Sequence, residues 1–293
     1  MHYPVLLGEV IDSLALEPGD TILDATVGGG GHSQEILKKI QPEGRLIALD
    51  RDPEAIERVR GRLGGGEAGV TYANRDFRYV EEVLGEAAPD GIDGAVFDLG
   101  MSSFQLDDPD RGFSFLKDGP LDMRFDKARG QSAEDVVNGT DRDDLADLIY
   151  KFGEERLSRR ISAAICVARK DKRIRTTSEL AGIIASAVGG RYSRQKLHPA
   201  ARTFQALRIY VNDELTSVSE GVSGAIRCLR PGARICVISF HSLEDRIIKN
   251  IFRDGKRSGE LEVMTKKPVT PSPEEIKENI RSRSAKLRVA EKR

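Results

Sequence analysis

Between Thr21 and Ser33 the chain reads Thr21-Ile-Leu-Asp24-Ala-Thr-Val-Gly28-Gly29-Gly30-Gly31-His32-Ser33, an apolar run holding one acid and then four consecutive glycines. No other stretch restricts the fold as tightly. The apolar run suits a buried parallel strand, and glycines tolerate positive φ and let a backbone approach a ligand closely. Together they describe a first strand turning into a first helix, as in nucleotide-type cofactor sites. About twenty residues further on, Gly44-Arg-Leu-Ile-Ala-Leu-Asp50 is a second strand ending in a carboxylate, where ribose hydroxyls are held in such sites. The same glycines would also serve a strand-to-helix turn with no ligand.

The rest of the chain supplies the rhythm of a doubly wound sheet. Apolar segments at about 20–27, 44–50, 69–75 and 93–99 qualify as buried parallel strands. Helical patterns lie between the first pairs, among them Asp52-Pro53-Glu-Ala-Ile56-Glu-Arg-Val59-Arg-Gly-Arg-Leu63, with proline in the first turn and apolar residues on one face. The expected class is α/β, a doubly wound and mostly parallel sheet. A fifth strand, Ala233-Arg-Ile-Cys-Val-Ile-Ser-Phe240, arrives late, after the turn signal Leu229-Arg-Pro231-Gly232. The intervening segment is helical: Leu145, Leu148, Ile149 and Phe152 mark one face, and Leu157, Ile161, Ile165 and Ala168 another. A third helix begins at the capping-box pattern Thr176-Thr-Ser-Glu179 and stops at Gly189-Gly190. The expected organisation is a discontinuous core (1–106 and 201–264), a helical insertion (107–200) overhanging the ligand crevice, and a basic tail (265–293). That tail lacks a core-forming pattern and is expected to be flexible or to order on nucleic acid.

Charge separates the two common users of a glycine turn. A dinucleotide brings a pyrophosphate to the helix N-terminus, and Asp24, four positions before the first glycine, Gly28, opposes it. S-adenosylmethionine carries an ammonium and a sulfonium and no phosphate, so it welcomes a carboxylate. The dinucleotide fingerprint also fails at its third position, where Ser33 stands instead of glycine or alanine. The charge pattern therefore favours the methyl donor over NAD.

The 293 residues are 39% hydrophobic and 32% charged, the balance of a water-soluble globular chain. There is no apolar run of membrane-spanning length, and Met1-His-Tyr-Pro does not begin a signal peptide, so a cytoplasmic location without membrane partners is expected. Cys166, Cys228 and Cys236 are dispersed in apolar surroundings and are expected as reduced thiols. The histidines form no ligand-spaced cluster with them, and no metal site is expected. A net charge of -1 conceals an asymmetry: sixteen acids and six bases from Glu86 to Asp147, then four acids and thirteen bases from Tyr150 to Arg202. A basic region within a neutral chain is either a polyanion-binding patch or a solvated helix face.

Two strand ends carry chemistry. Strand four ends in Asp98-Leu-Gly100-Met-Ser102-Ser103-Phe104-Gln105, an acid and two serines at the switch point of the sheet. Strand five ends in Ser239-Phe240-His241-Ser242-Leu-Glu244-Asp245-Arg246, which brings a histidine to the same edge, as a structural residue or a catalytic one.

These residues resemble a known family. Pro4-Val-Leu, Asp24-Ala-Thr-Val-Gly28 with Gly30-Gly31-His32-Ser33, Asp98-Leu-Gly-Met-Ser102-Ser103 with Gln105, Arg111-Gly-Phe113-Ser-Phe115, Pro120-Leu-Asp122-Met-Arg124, Thr203-Phe-Gln-Ala-Leu-Arg208-Ile and Ile238-Ser-Phe-His241-Ser-Leu-Glu-Asp245-Arg246 follow the RsmH (MraW) family in order. That family comprises ribosomal small-subunit RNA (cytosine-N4)-methyltransferases. The resemblance implies a class I, Rossmann-like methyltransferase core with an inserted helical domain, S-adenosylmethionine as donor, and a cytidine in the decoding region of 16S rRNA as acceptor. It also implies cofactor contacts at Gly30, Gly31, His32, Asp50, Phe77, Asp98 and Gln105. Asp24 and Asp76 join them on charge and position, while Phe77 would equally suit the core. Gly29 stands where the family usually has a bulkier or charged residue, which loosens the loop. Asp98 and Ser102 are expected as polarising acceptors, and His241 as substrate orienter or proton acceptor. The competing readings are an NAD-dependent oxidoreductase and a non-catalytic RNA-binding assembly factor with a vestigial pocket.

Overall fold

The structure is a computed structural model that describes residues 4–64, 69–189 and 198–293. They form two compact units, Met1–Gly100 with Leu215–Arg293, and Met101–Glu214.

The first unit opens with α1 (Leu7–Leu14), β1 (Thr21–Asp24), α2 (Gly31–Ile40), β2 (Arg45–Asp50), α3 (Pro53–Leu63), β3 (Val70–Asn74), α4 (Val80–Ala87) and β4 (Ile92–Asp98). Local chemistry sets several of these boundaries. Asp52 caps α3 by accepting from the Glu54 amide, with Pro53 in the first turn, where a missing N–H costs nothing. Gly30, at φ 76, turns the chain from β1 into α2 in a conformation that side chains with a Cβ rarely adopt.

The second unit is helical: α5 (Ser103–Asp107), α6 (Ala133–Gly139), α7 (Arg142–Gly153), α8 (Ser158–Asp171), α9 (Thr177–Val188) and α10 (Ala201–Asn212). The capping box expected at Thr176 and Glu179 is present. Gly190, expected to end α9, lies outside the described residues. Leu145, Ile149, Ile161, Ile165, Leu180 and Ile184 are fully sealed in one core that also takes Phe204, Ala206 and Leu207 from α10. The unit therefore reaches beyond the 107–200 segment marked by composition, because the apolar face of α10 belongs to it. The Arg111 and Pro120 motifs pin its long loop. The Arg111 guanidinium donates to the Phe125 carbonyl, Phe113 stacks on Phe125, and Asn212 bonds the backbone of Met123 and Phe125.

The chain then returns to the first unit through α11 (Glu214–Cys228), β5 (Leu229–Ser239), α12 (Ser242–Ser258), β6 (Leu261–Val263), α13 (Pro273–Glu278) and β7 (Lys286–Lys292). The strand order is β3-β2-β1-β4-β5-β7-β6. Strands β1 to β5 are mutually parallel, whereas β7 runs antiparallel to both β5 and β6. Successive residues feed opposite faces. Leu23, Phe97 and Val237 enter one core cluster, and Ile22, Val96 and Ile238 enter the other. The Pro231-Gly232 signal does not precede β5. It lies within the strand, where the register against β4 shifts between Ile92 and Gly94.

The tail corrects the sequence expectation most sharply. Residues 286–292 are neither a connector nor a flexible end. They form β7, inserted between β5 and β6, with Leu287, Val289 and Ala290 buried. The pattern is hard to see because charged residues interrupt it. Tertiary structure neutralises one of them, since Arg288 Nε donates to Asp245 Oδ1 at 2.7 Å.

Candidate cofactor and catalytic site

In the first unit, the carboxyl ends of β1, β2 and β4 bring three acids to the switch point, the place where doubly wound sheets take ligands. Asp24 ends β1 and is 2% exposed; Ser33 Oγ donates to its Oδ2 at 2.6 Å, and the Thr26 amide to its Oδ1. Burial pushes its carboxyl up to about 6, and Asp50 adds to the shift against those hydrogen bonds. Asp50 ends β2 and accepts from the Gly28 and Asp52 amides, each at 2.9 Å, which ties the glycine turn to the second strand. Burial raises its carboxyl to about 6 as well.

Asp98 ends β4, its amide donating to Thr26 Oγ1 at 2.7 Å. Its side chain is 26% exposed, yet Oδ1 is sealed from solvent and has no hydrogen-bond partner among the described residues. Burial raises its carboxyl to about 8, with Asp24 and Glu244 pushing the same way. The nearest cationic candidate is His32, whose Nδ1 lies 3.8 Å from Asp98 Oδ2. His32 Nε2 sits 3.0 Å from the Val5 carbonyl, which can only accept, so that nitrogen carries the hydrogen. The crevice is thus rich in negative charge and suited to a bound cation. A pyrophosphate would meet three carboxyls.

The glycine turn is packed as well as permissive. A Cβ on Gly31 would stand 2.2 Å from Pro4 Cγ, so the Pro4 motif closes over the start of α2. Phe77 is half-buried, its ring edge-on to Phe97 at 5.6 Å, and Gly221 of α11 leaves room for it. Asp76, beside Phe77, is held by three internal bonds. Its Oδ1 accepts from the Arg78 amide, and its Oδ2 from Ser217 Oγ and Arg51 Nη1. Those bonds hold the turn that presents Phe77.

His241 caps α12. Its Nδ1 accepts from the Glu244 amide, and Glu244 Oε2 accepts from the Phe240 and His241 amides. An amide only donates, so the neutral ring carries its hydrogen on Nε2. Nε2 lies 3.2 Å from Glu244 Oε1, without the alignment of a hydrogen bond. In this geometry the neutral ring carries its hydrogen on Nε2, beside Glu244 Oε1. Glu244, 1% exposed, escaped the sequence reading. The signal was there: His241-Ser-Leu-Glu244 is a capping box with histidine in the place of serine or threonine.

Ser102 and Gln105 belong to the second unit and cap α5 reciprocally. Ser102 Oγ accepts from the Gln105 amide and Gln105 Oε1 from the Ser102 amide, both at 3.2 Å. The structure therefore gathers Asp24, Gly30, Gly31, His32, Asp50 and Asp98 at one edge, with His241 at the end of the neighbouring β5.

Several bases of the second unit are paired with acids of the same unit. Arg159 pairs with Asp143 and Asp147, Arg173 with Glu134 and Asp135, and Lys172 with Glu179. Arg169 donates to the Val137 and Thr140 carbonyls. Arg191, Arg194 and Lys196 lie outside the described residues.

A family model described as the MraW methylase family matches residues 1–293. A relative from Carboxydothermus hydrogenoformans, named ribosomal RNA small subunit methyltransferase H, is 47% identical over 307 residues, covering 99% of this chain and 97% of the relative. One of the same name from Persephonella marina is 47% identical over 291 residues, covering 99% of each chain. Among solved structures, an rRNA methylase from Streptococcus thermophilus aligns with a TM-score of 0.47 at 12% identity, covering 100% of this chain and 99% of its own.

Proposed function

This chain belongs to the MraW methylase family, and from that premise we propose that its acid-lined crevice serves methylation of a cytidine N4 amino group in the decoding region of 16S rRNA. It is an S-adenosylmethionine-dependent methyltransferase of ribosomal small-subunit RNA, with a class I α/β core. The observation that carries the site assignment is the set of buried carboxyls, with Asp98 Oδ1 sealed and unpaired. A cation satisfies such a set, and a phosphate does not.

The residues present fit this donor. Asp50 has lone pairs left for ribose hydroxyls after accepting two amides, the Phe77 ring offers a flat apolar surface, and Asp24 and Asp98 face positive charge. Gly30, Gly31 and His32 shape the wall, and Gln105 completes the set by resemblance. When bound, S-adenosylmethionine supplies the methyl group.

Cytosine's exocyclic nitrogen is a weak nucleophile because its lone pair is delocalised into the ring. Orienting that nitrogen is the main task of the protein, and positioning is worth on the order of 7–11 kcal/mol at best. Asp98, ionised beside a cation, accepts from the amino hydrogens, with Ser102 as a second polarising group. His241, at the end of β5, orients the base or takes up a proton. The base has to leave its stack to reach this edge.

We place the reaction in the cytoplasm, on RNA within the small ribosomal subunit; no helix among the described residues is long and apolar enough to cross a membrane. The test is transfer of labelled methyl to small subunits lacking the modification, followed by nucleoside analysis. N4-methylcytidine is the expected product. Its absence despite cofactor binding refutes the substrate assignment.

A further inference from the structure

Helix α12 carries an unbalanced charge on the catalytic unit itself. Arg246, Lys249, Arg253, Lys256 and Arg257 are all exposed; Arg246, Lys249, Arg253 and Lys256 follow at three- and four-residue steps and Arg257 lies four after Arg253, which places them on one face. The opposite face seats the helix: Leu243, Ile248 and Phe252 are buried, and Gly255 lies so close to Leu261 that a Cβ would stand 2.6 Å from it.

The acids of the helix do not neutralise this stripe. Glu244 is turned inward beneath His241, Asp245 is engaged by Arg288 and Lys286, and Asp254 alone reaches Arg253 and Arg257. Neighbouring like charges at i,i+4 destabilise a helix by a few tenths of a kcal/mol per pair. Stability alone therefore favours a different sequence here.

Position gives the stripe its meaning. The N-cap of α12 is His241, at the carboxyl edge of the sheet, and seventeen residues extend about 25 Å away from it. We propose that this face of α12 is a phosphate-binding track that holds the RNA backbone beside the nucleotide presented to the site. The inference rests on RNA being the substrate, and it puts substrate contacts on the catalytic unit in addition to any made by the insertion. Charge complementarity selects the occupant: a polyanion matches a row of exposed cations that includes Lys249 and Lys256 and outnumbers the acids of the helix.

The test is the salt dependence of binding to protein-free small-subunit RNA lacking the modification, with the full-length chain. Removing Lys249 and Lys256 as K249Q/K256Q should lower the slope of log affinity against log salt by about 0.7–0.9 per lysine. Between 50 and 200 mM salt the loss of affinity then shrinks by about tenfold. Cofactor affinity should not change, and K249R/K256R should restore the slope. A slope equal to wild type in the glutamine variant overturns the track. So does a variant that weakens binding only to assembled subunits, which would assign the face to a ribosomal protein. Wild-type protein with no salt-dependent RNA affinity fails before any variant is made, and overturns the substrate reading as well as this inference.

Discussion

Replacing Asp98 with asparagine removes the carboxyl whose ionisation the crevice most strongly resists. With its carboxyl pushed up to about 8, Asp98 is about 1% ionised at pH 6 and half ionised at pH 8. If the donor's positive charge is held by the ionised form, wild-type affinity should rise by about 50-fold across that interval. Asp24, raised to about 6, adds about twofold, in both proteins. The donor's amine also titrates identically in both, so the difference between wild type and Asp98→Asn isolates Asp98. Calorimetry at pH 6, 7 and 8, in buffers of different ionisation enthalpy, should show the proteins converging at pH 6 and separating above it. At pH 7 the wild type should release about one proton more on binding. The stability of the ligand-free protein has the opposite sign. A carboxyl raised in the folded state keeps its proton where the unfolded chain has lost it, so stability falls as pH climbs from about 4 to about 8. Asp98→Asn should flatten that part of the melting curve against pH. Wild-type affinity that is flat from pH 6 to 8, or an equally steep rise in the asparagine variant, refutes the charge argument.

Other outcomes follow from particular contacts. His241→Asn keeps a side-chain acceptor for the Glu244 amide, so its melting temperature should stay near wild type while His241→Ala loses about 1 kcal/mol. Methyl transfer should fall in both variants, and full activity in His241→Asn would reduce His241 to a cap. Gly31→Ala drives a Cβ into Pro4 and should cost about 1–3 kcal/mol, with weaker donor binding by calorimetry. Unchanged affinity would show that the loop yields freely there. Deleting residues 286–293 removes β7 from between β5 and β6 and takes away the Arg288 partner of Asp245. The shortened chain should lose its cooperative melt and its donor binding; a normal melt would mean that β7 is dispensable.

Much of the architecture was legible because it is written in local patterns. The strands ending at Asp24, Asp50 and Asp98 are continuous apolar runs, and the caps at Asp52 and Thr176 use side chains suited to orphan helix amides. β7 was not legible, since its apolar residues alternate with charges that only a distant Asp245 and the neighbouring strands make tolerable. The basic segment after Tyr150 reads in sequence as a polyanion patch or a solvated helix face, and only the tertiary structure shows that Arg159 and Arg173 pair across helices with acids from residues 134–147. The stripe on α12 is the converse. Its three acids nearly hide it in composition, and burial of Glu244 and pairing of Asp245 with Arg288 take two of them out of play.

The sequence by itself determined a doubly wound α/β sheet, a glycine turn built for close approach, and acids at successive strand ends, because those depend on residue type and short-range spacing. Tertiary structure alone decided how those acids behave. A carboxylate in the sequence is an ordinary anion; with Oδ1 sealed at the switch point and Asp24 and Glu244 nearby, the Asp98 carboxyl is pushed up to about 8. His241 likewise could be base or donor on paper, and the amide of Glu244, which can only donate, settles which nitrogen carries the hydrogen in the neutral ring. Burial and hydrogen-bond direction are properties of packing, and they arise only when the strand ends meet.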